Sequence, residues 1–236
     1  MATILALDTS TTLASVALLR DAQVLTRESS GVQTHSQMIL PLLQQLLAEA
    51  GITLAQCDAV AVGIGPGSFT GVRTACGIAQ GLAFGANLPV APVVTLEAMA
   101  EACREANGAS EVLTVLDAAM GEVYWAQYRF DNGWQATLAP QLSAPEAVMP
   151  QGKVNACGNG LLSYAPAFAG RDFLAGAQPQ IGPHAVQVAR LGQALVAAGK
   201  TLAPHQAQPF YLRNKVALTT AERAAAAAAA KVKAKA

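Results

Sequence analysis

Hydrophobic and polar positions divide this chain into short apolar runs and longer periodic stretches. Residues 3–8 (TILALD) and 15–20 (SVALLR) are β-compatible runs joined by the polar turn 9–14, and together they read as a hairpin opening a sheet. A third short strand is expected at Val24–Arg27. Over 35–50, Met38, Ile39, Leu42, Leu43, Leu46 and Leu47 recur at three- and four-residue spacing, and Gly51 stands where a helix-ending glycine belongs. Pro41 suits only a first turn, so this helix is predicted to start near Ile39 or Leu40. Residues 58–65 read as a buried strand, followed by a glycine loop and a helix over Val72–Phe84. A short strand at 89–93 and a helix over Leu96–Asn107 follow.

After Gly108 the same kind of unit returns. EVLTVLD (111–117) is a strand ending in aspartate, as at Asp8, and a turn leads into VYWAQYRF (123–130). The strand–Asp–turn–strand repeat suggests two related lobes. Asp131-Asn132-Gly133 is a hairpin signal. Residues 135–185 are rich in Gly, Pro and Ala and read mostly as loops. Ala185–Ala198 reads as a helix closed by Gly199, and 221–236 as a frayed, basic, low-complexity tail. The expected division is an N-terminal lobe over 1–108, a reduced C-terminal lobe over 109–216 and an Ala/Lys tail over 217–236.

Composition narrows the class. With 53% hydrophobic and 13% charged residues, the chain is neither disordered nor a nucleic-acid coat. No apolar run approaches the roughly 18–20 residues that span a bilayer, no secretory signal opens the sequence, and the four cysteines are widely spaced. A cytoplasmic location is expected. The net charge of zero hides an asymmetry. Residues 1–209 hold nine basic against fourteen acidic side chains, and 210–236 hold six against one, so a −5 body carries a +5 tail. Such a body does not favour phosphate backbones, although a nucleic-acid-binding role for 210–236 is one reading of the tail.

The stretch GIGPGSFTGVR (63–73) lies between a buried strand and a helix. Gly65, Gly67, Ser68 and Gly71, with Arg73 and the first-turn residues Asp8, Thr9 and Ser10, form either an anion-binding loop or a tight structural turn. The loop is neither a P-loop nor GxGxxG. Asp8 and Asp117 are either an acid/base pair across a cleft or caps of their own turns. His35, His184 and His205 are isolated and predict no metal site. Tyr124, Trp125 and Tyr128 read as packing, Glu122 as a hydrogen-bond or cation partner, and Arg213-Asn214 as a carboxylate clamp or a partner contact. Both helices flanking the 58–65 strand are apolar on more than one side, which fits either a covered patch or simple burial.

ILALDTS (4–10), GPGSFTGVR (65–73) followed by GIAQGLA, LDAAMGEVYWAQY (116–128) and PFYLRNKVA (209–217) occur in the order seen in the TsaB (YeaZ) family, which the sequence resembles over about 3–216. The resemblance implies an α/β, two-lobed actin-like, sugar-kinase-like fold, with mixed sheets flanked by helices and a shortened second lobe. It implies a non-catalytic subunit that binds and activates a TsaD-type transferase, which threonylcarbamoylates the adenosine beside the tRNA anticodon. A TsaE-like ATPase, indirect contact with tRNA and a competing homodimer come with it. Family members pair through the two helices, which here places Ile39, Leu42, Leu43, Leu46, Leu47, Val72, Ala75, Cys76, Ala79 and Leu82 at the partner. The turn after Asp8 lacks the glycine of actin-like ATPases. Ile39 stands where TsaD-like proteins have a second metal-binding histidine, and Ala119 where the family often has arginine. No resident cofactor is therefore expected, and a nucleotide only at the partner interface. The alternative is an autonomous enzyme, either an ATP-dependent small-molecule kinase or a glycoprotease-like hydrolase.

Overall fold

The computed structural model describes residues 2–30 and 35–213, His35 by its backbone alone. Asn214, the tail at 217–236 and the His35 imidazole therefore lie outside the described residues.

Strand β1 (Ile4–Asp8) pairs antiparallel with β2 (Leu13–Arg20), and β2 with β3 (Gln23–Ser30). After helix α1 (His35–Glu49), β4 (Ala59–Gly63) joins parallel to β1. After helix α2 (Phe69–Ala86), β5 (Val90–Val93) joins parallel to β4. The sheet order is β3-β2-β1-β4-β5. β1 and β4 are buried on both faces, which is why they read as unbroken apolar runs rather than alternations. Helix α3 (Thr95–Asn107) leads into a second mixed sheet, ordered β8-β7-β6-β9, of β6 (Glu111–Asp117), β7 (Val123–Phe130), β8 (Trp134–Ser143) and β9 (Asn155–Cys157). The repeat seen in the sequence is thus a repeated sheet pattern. In each lobe an aspartate-ending strand has an antiparallel neighbour on one side and a parallel one on the other.

Leu5, Leu7, Val16, Val60 and Val62 meet Ile39, Leu43 and Leu46 of α1 and Ala75, Ala79 and Ala83 of α2 on one face of the first sheet. On its other face lies α6 (Ala185–Ala197), against Ile4, Ala6, Ala17, Ala59, Ala61 and Ala91. The small side chains there admit the helix closely. A Cβ at Gly192 would lie 2.5 Å from the Ala61 methyl. A division of the lobes at residue 108 therefore does not hold, because 185–197 completes the first lobe, and Leu202 bridges to Val90 of β5. Helix α3 and the helices α4 (Gly160–Ser163) and α5 (Ala165–Phe168) enclose the second sheet.

Three local expectations are corrected. Helix α1 begins at His35, and Pro41 lies inside it on the exposed side, where water can satisfy the carbonyl that loses its donor. Helix α2 begins three residues earlier than predicted, because the Ser68 hydroxyl caps it by accepting from Gly71 N at 3.3 Å. The stretch read as loops contains β8, a ten-residue edge strand whose Pro140 and mixed burial conceal the alternation.

Candidate functional site

The turn after β1 bonds to itself and to the glycine loop. Asp8 Oδ1 accepts from Ser10 N at 2.9 Å and from Ser10 Oγ at 2.7 Å, and Thr9 Oγ1 donates to Gly71 O at 2.6 Å. Ser68 N donates to Ser10 O at 2.7 Å. Asp8, Thr9 and Ser10 are all buried. The glycine loop lies directly on this turn: a Cβ at Gly67 would overlap the Ser10 carbonyl, and one at Gly71 the Thr9 carbonyl. Of the two readings of this loop, the contacts fit the tight structural turn. The Ser10, Ser68 and Gly71 amides and the Thr9 and Ser10 hydroxyls bond within the chain, and Gly67 and Gly71 serve close approach of loop to turn. Gly65, at φ 101°, exchanges bonds with Thr95, its N donating to Oγ1 at 3.1 Å and its O accepting from Thr95 N at 2.8 Å. Arg73 is committed as well. Its guanidinium lies 3.8 Å from the Phe69 ring centroid, and Nε donates to Tyr211 Oη at 2.6 Å.

The second turn repeats the scheme. Asp117 Oδ1 accepts from Ala119 N at 2.8 Å and Tyr164 Oη at 3.0 Å, while Asp117 N donates to Asn159 Oδ1 at 2.9 Å. Each aspartate thus caps its own turn. Arg213 reaches in from the C-terminal segment, its Nη2 donating to Glu122 Oε2 at 2.6 Å and Ala119 O at 3.3 Å. The clamp reading of Arg213 and the cation-partner reading of Glu122 are the ones the contacts describe. Between the turns lies a cleft of about 630 Å³, lined by Ser10, Thr11, Ser68, Asp117, Tyr124 and Asn159 among others. Trp125 and Tyr128 pack inside the second lobe.

The two helices present a different face from the one the sequence suggested. Ile39, Leu42, Leu43 and Leu46 of α1, and Val72, Ala75, Cys76 and Ala79 of α2, are all buried within the chain, and Leu47 and Leu82 are half-buried beside them. They cannot line a free outer face of the folded chain, because they already pack inside it. The outer side of α2 instead exposes Thr70, Arg73, Gly77, Gly81, Phe84 and Gly85, with Phe84 82% exposed, and α1 adds Leu40 at 43%. A Cβ at Gly77, Gly81 or Gly85 would meet nothing within 4 Å. The sequence signal was present as glycine every fourth residue, an uncovered stripe between the positions that pack inward. Phe69 and Arg73, four apart, carried the clue to their stack.

Elsewhere, burial and then repulsion from Glu101 push the Glu97 carboxyl up to about 7. Burial, with the Asp8 charge second, pushes the Cys76 thiol up to about 12, which leaves it unreactive. Among the described residues no three His, Cys, Asp or Glu side chains are placed to hold a metal ion, and no helix is long and apolar enough to cross a membrane. His184 caps α6, its Nδ1 accepting from Val186 N at 3.1 Å.

Residues 20–234 match the family model described as TsaD, tRNA N6-adenosine threonylcarbamoyltransferase. The tRNA threonylcarbamoyladenosine biosynthesis protein TsaB of Escherichia coli is 40% identical over 235 residues, which are 91% of this chain and 96% of the relative. The protein of the same name from Haemophilus influenzae is 40% identical over 226 residues, 91% and 94% of the two chains. The solved structure of YeaZ from Pseudomonas aeruginosa superposes with a TM-score of 0.83 at 37% identity, covering 90% of this chain and all of that one. With its two-lobed actin-like architecture and matches over nine-tenths of its length, the chain belongs to the TsaB (YeaZ) family.

Proposed function

We propose that this chain is a non-catalytic subunit of the machinery that makes threonylcarbamoyladenosine in tRNA, and that it binds and activates a TsaD-type transferase through the outer face of α2 and the adjoining edge of α1. The observation that carries this reading is the exposed stripe Gly77, Gly81 and Gly85 beside the 82% exposed Phe84. Glycines four apart let a partner helix approach backbone to backbone, and the phenyl ring supplies an anchor that gains about 2–3 kcal/mol when covered. A second copy of the chain competes for the same face. The complex includes a TsaE-like ATPase, works in the cytoplasm and meets tRNA through the transferase. In this reading the chain holds no cofactor of its own, and any nucleotide sits at the partner interface.

The bonds that Asp8 and Asp117 accept within their own turns support the absence of turnover by the chain alone. Catalysis of phosphoryl transfer rests on donors aimed at the reacting charge, and here the Thr9 hydroxyl, the Ser10 amide and hydroxyl and the Ser68 amide bond to Gly71, Asp8 and Ser10 instead. The test is calorimetric titration of the chain into a TsaD-type paralogue. Phe84→Ala should weaken binding at least about tenfold while the melting temperature holds. Undiminished binding by this variant, or ATP hydrolysis by the purified chain without its paralogue, would overturn the proposal.

A further inference from the structure

The contacts of the C-terminal segment form a pattern that the docking reading does not use. Residues 207–213 run from one lobe to the other across the mouth of the cleft. On the first lobe, Gln80 Nε2 donates to Ala207 O at 2.7 Å and Phe210 N to Ile64 O at 2.8 Å. Tyr211 accepts from Arg73 at 2.6 Å, and its ring lies 5.7 Å from that of Phe69. One residue further, Leu212 packs into the second-lobe core with Leu116 and Tyr124. Arg213 then binds Glu122 and Ala119 with its side chain only 14% exposed. Consecutive residues therefore grip opposite walls. The lobes are also joined by α3, which packs against α6 of the first lobe, continues into β6 and packs against β7 and β9.

That arrangement is a hinge on one side and a fastening on the other. Two-lobed folds close when something bridges the cleft, and the hinge absorbs the rotation in a few residues. Here the bridge is supplied in cis. The turn that receives it is itself held in a sparsely populated form, with Ala119 and Met120 both at φ 57°. The Ala119 carbonyl so presented is one that Arg213 takes, and the Met120 sulfur lies 3.6 Å from Arg213 Nη1. The geometry points to residues 209–213 acting as an internal latch that keeps the lobes closed without any ligand, with Tyr211 and Arg213 as its two ends and α3 as its hinge. The cleft behind it opens only when one end lets go. Tyr211 and Arg213 are positioning residues in this scheme, and the inference concerns the isolated chain, independent of any partner.

The four native cysteines are buried, so an engineered pair can be spin-labelled selectively. Labels at Gln44→Cys in α1 and Gln135→Cys in β8, both exposed positions in different lobes, report the inter-lobe distance by pulsed electron resonance. The full chain should give one narrow distance. Arg213→Ala and Tyr211→Ala should each shift it longer and broaden it, and the double variant should go no further than either, because a latch open at one end is open. Glu122→Gln, at a side chain that is 39% exposed, should reproduce Arg213→Ala. An unchanged distribution in all variants, or shifts that add in the double variant, would overturn the latch. Loss of the circular dichroism spectrum in Glu122→Gln would do so too, since it would make the contact a folding element rather than a releasable one.

Discussion

Replacing Gly81 by alanine sets two readouts in opposite directions, which a merely structural role for the residue cannot do. Gly81 lies inside α2 on its exposed side, and a methyl built there meets no atom within 4 Å. In the isolated chain the substitution removes the entropic handicap of glycine in a helix, a gain of about 0.8–1 kcal/mol. For a domain of this length that gain raises the melting temperature by about 2–4 °C. Against a partner helix the same methyl stands in the line of closest approach. Helix axes separate toward the upper part of the usual range of about 8–10 Å as side chains are added, and the contacts flanking Gly77 and Gly85 loosen with them. Affinity for a TsaD-type paralogue should fall about tenfold for alanine, and Gly81→Leu should abolish binding while still melting above the parent. Scanning calorimetry gives the first quantity and isothermal titration the second. A raised melting temperature with unchanged affinity would refute the glycine stripe as the contact, and a lowered one would refute the placement of the stripe on the free side of α2.

Three further substitutions probe the packing of the first lobe and of α3. Leu43→Ala removes a side chain that is 2% exposed between α1 and the sheet, so it should lower unfolding stability by about 2–5 kcal/mol in denaturant titration. Binding by the fraction that remains folded should be unchanged. Gly71→Ala drives a methyl into the Thr9 carbonyl, and should destabilise the chain by at least about 2 kcal/mol, seen as a lower denaturation midpoint. Glu97, raised from 4.5 to about 7 by burial and by Glu101, binds its proton more tightly folded than unfolded. Its cost is therefore absent below pH 4.5, grows as pH rises through about 7 and is complete above it. Glu97→Gln should accordingly stabilise the chain at pH 8, by at most about 3 kcal/mol, and leave it unchanged near pH 4.5.

Much of the architecture was legible because it is written locally. The apolar runs at β1, β4 and β6, the periodic leucines of α1, and the glycine after α3 each state their element in a few neighbouring residues. The element missed, β8, is an edge strand with Pro140, where only one neighbour constrains the pattern. What α6 covers was not legible either: its small inward residues announce a close approach but not to which sheet. The site was harder still. Leu43 and Gly81 lie on neighbouring apolar helices, and only the position of the sheet decides that the leucine is spent and the glycine free. The glycines of 65–71 look from composition alone like an invitation to a ligand. That their vacancy is filled by the carbonyls of Thr9 and Ser10 is a fact of chain packing over some sixty residues, as in the bond from Thr9 to Gly71.

The seat of α6 on the first sheet has a bearing on how the chain is made. Ile4, Ala6 and Ala61 take much of their cover from residues 185–192, so a ribosome must deliver most of the polypeptide before that side of the sheet can dry. Until then the nascent first lobe carries a bare alanine-lined floor, and its closure waits on long-range contacts that form slowly. A fragment ending at residue 108 should in consequence associate through that floor rather than stand alone, and deleting α6 should harm the beginning of the protein more than its end.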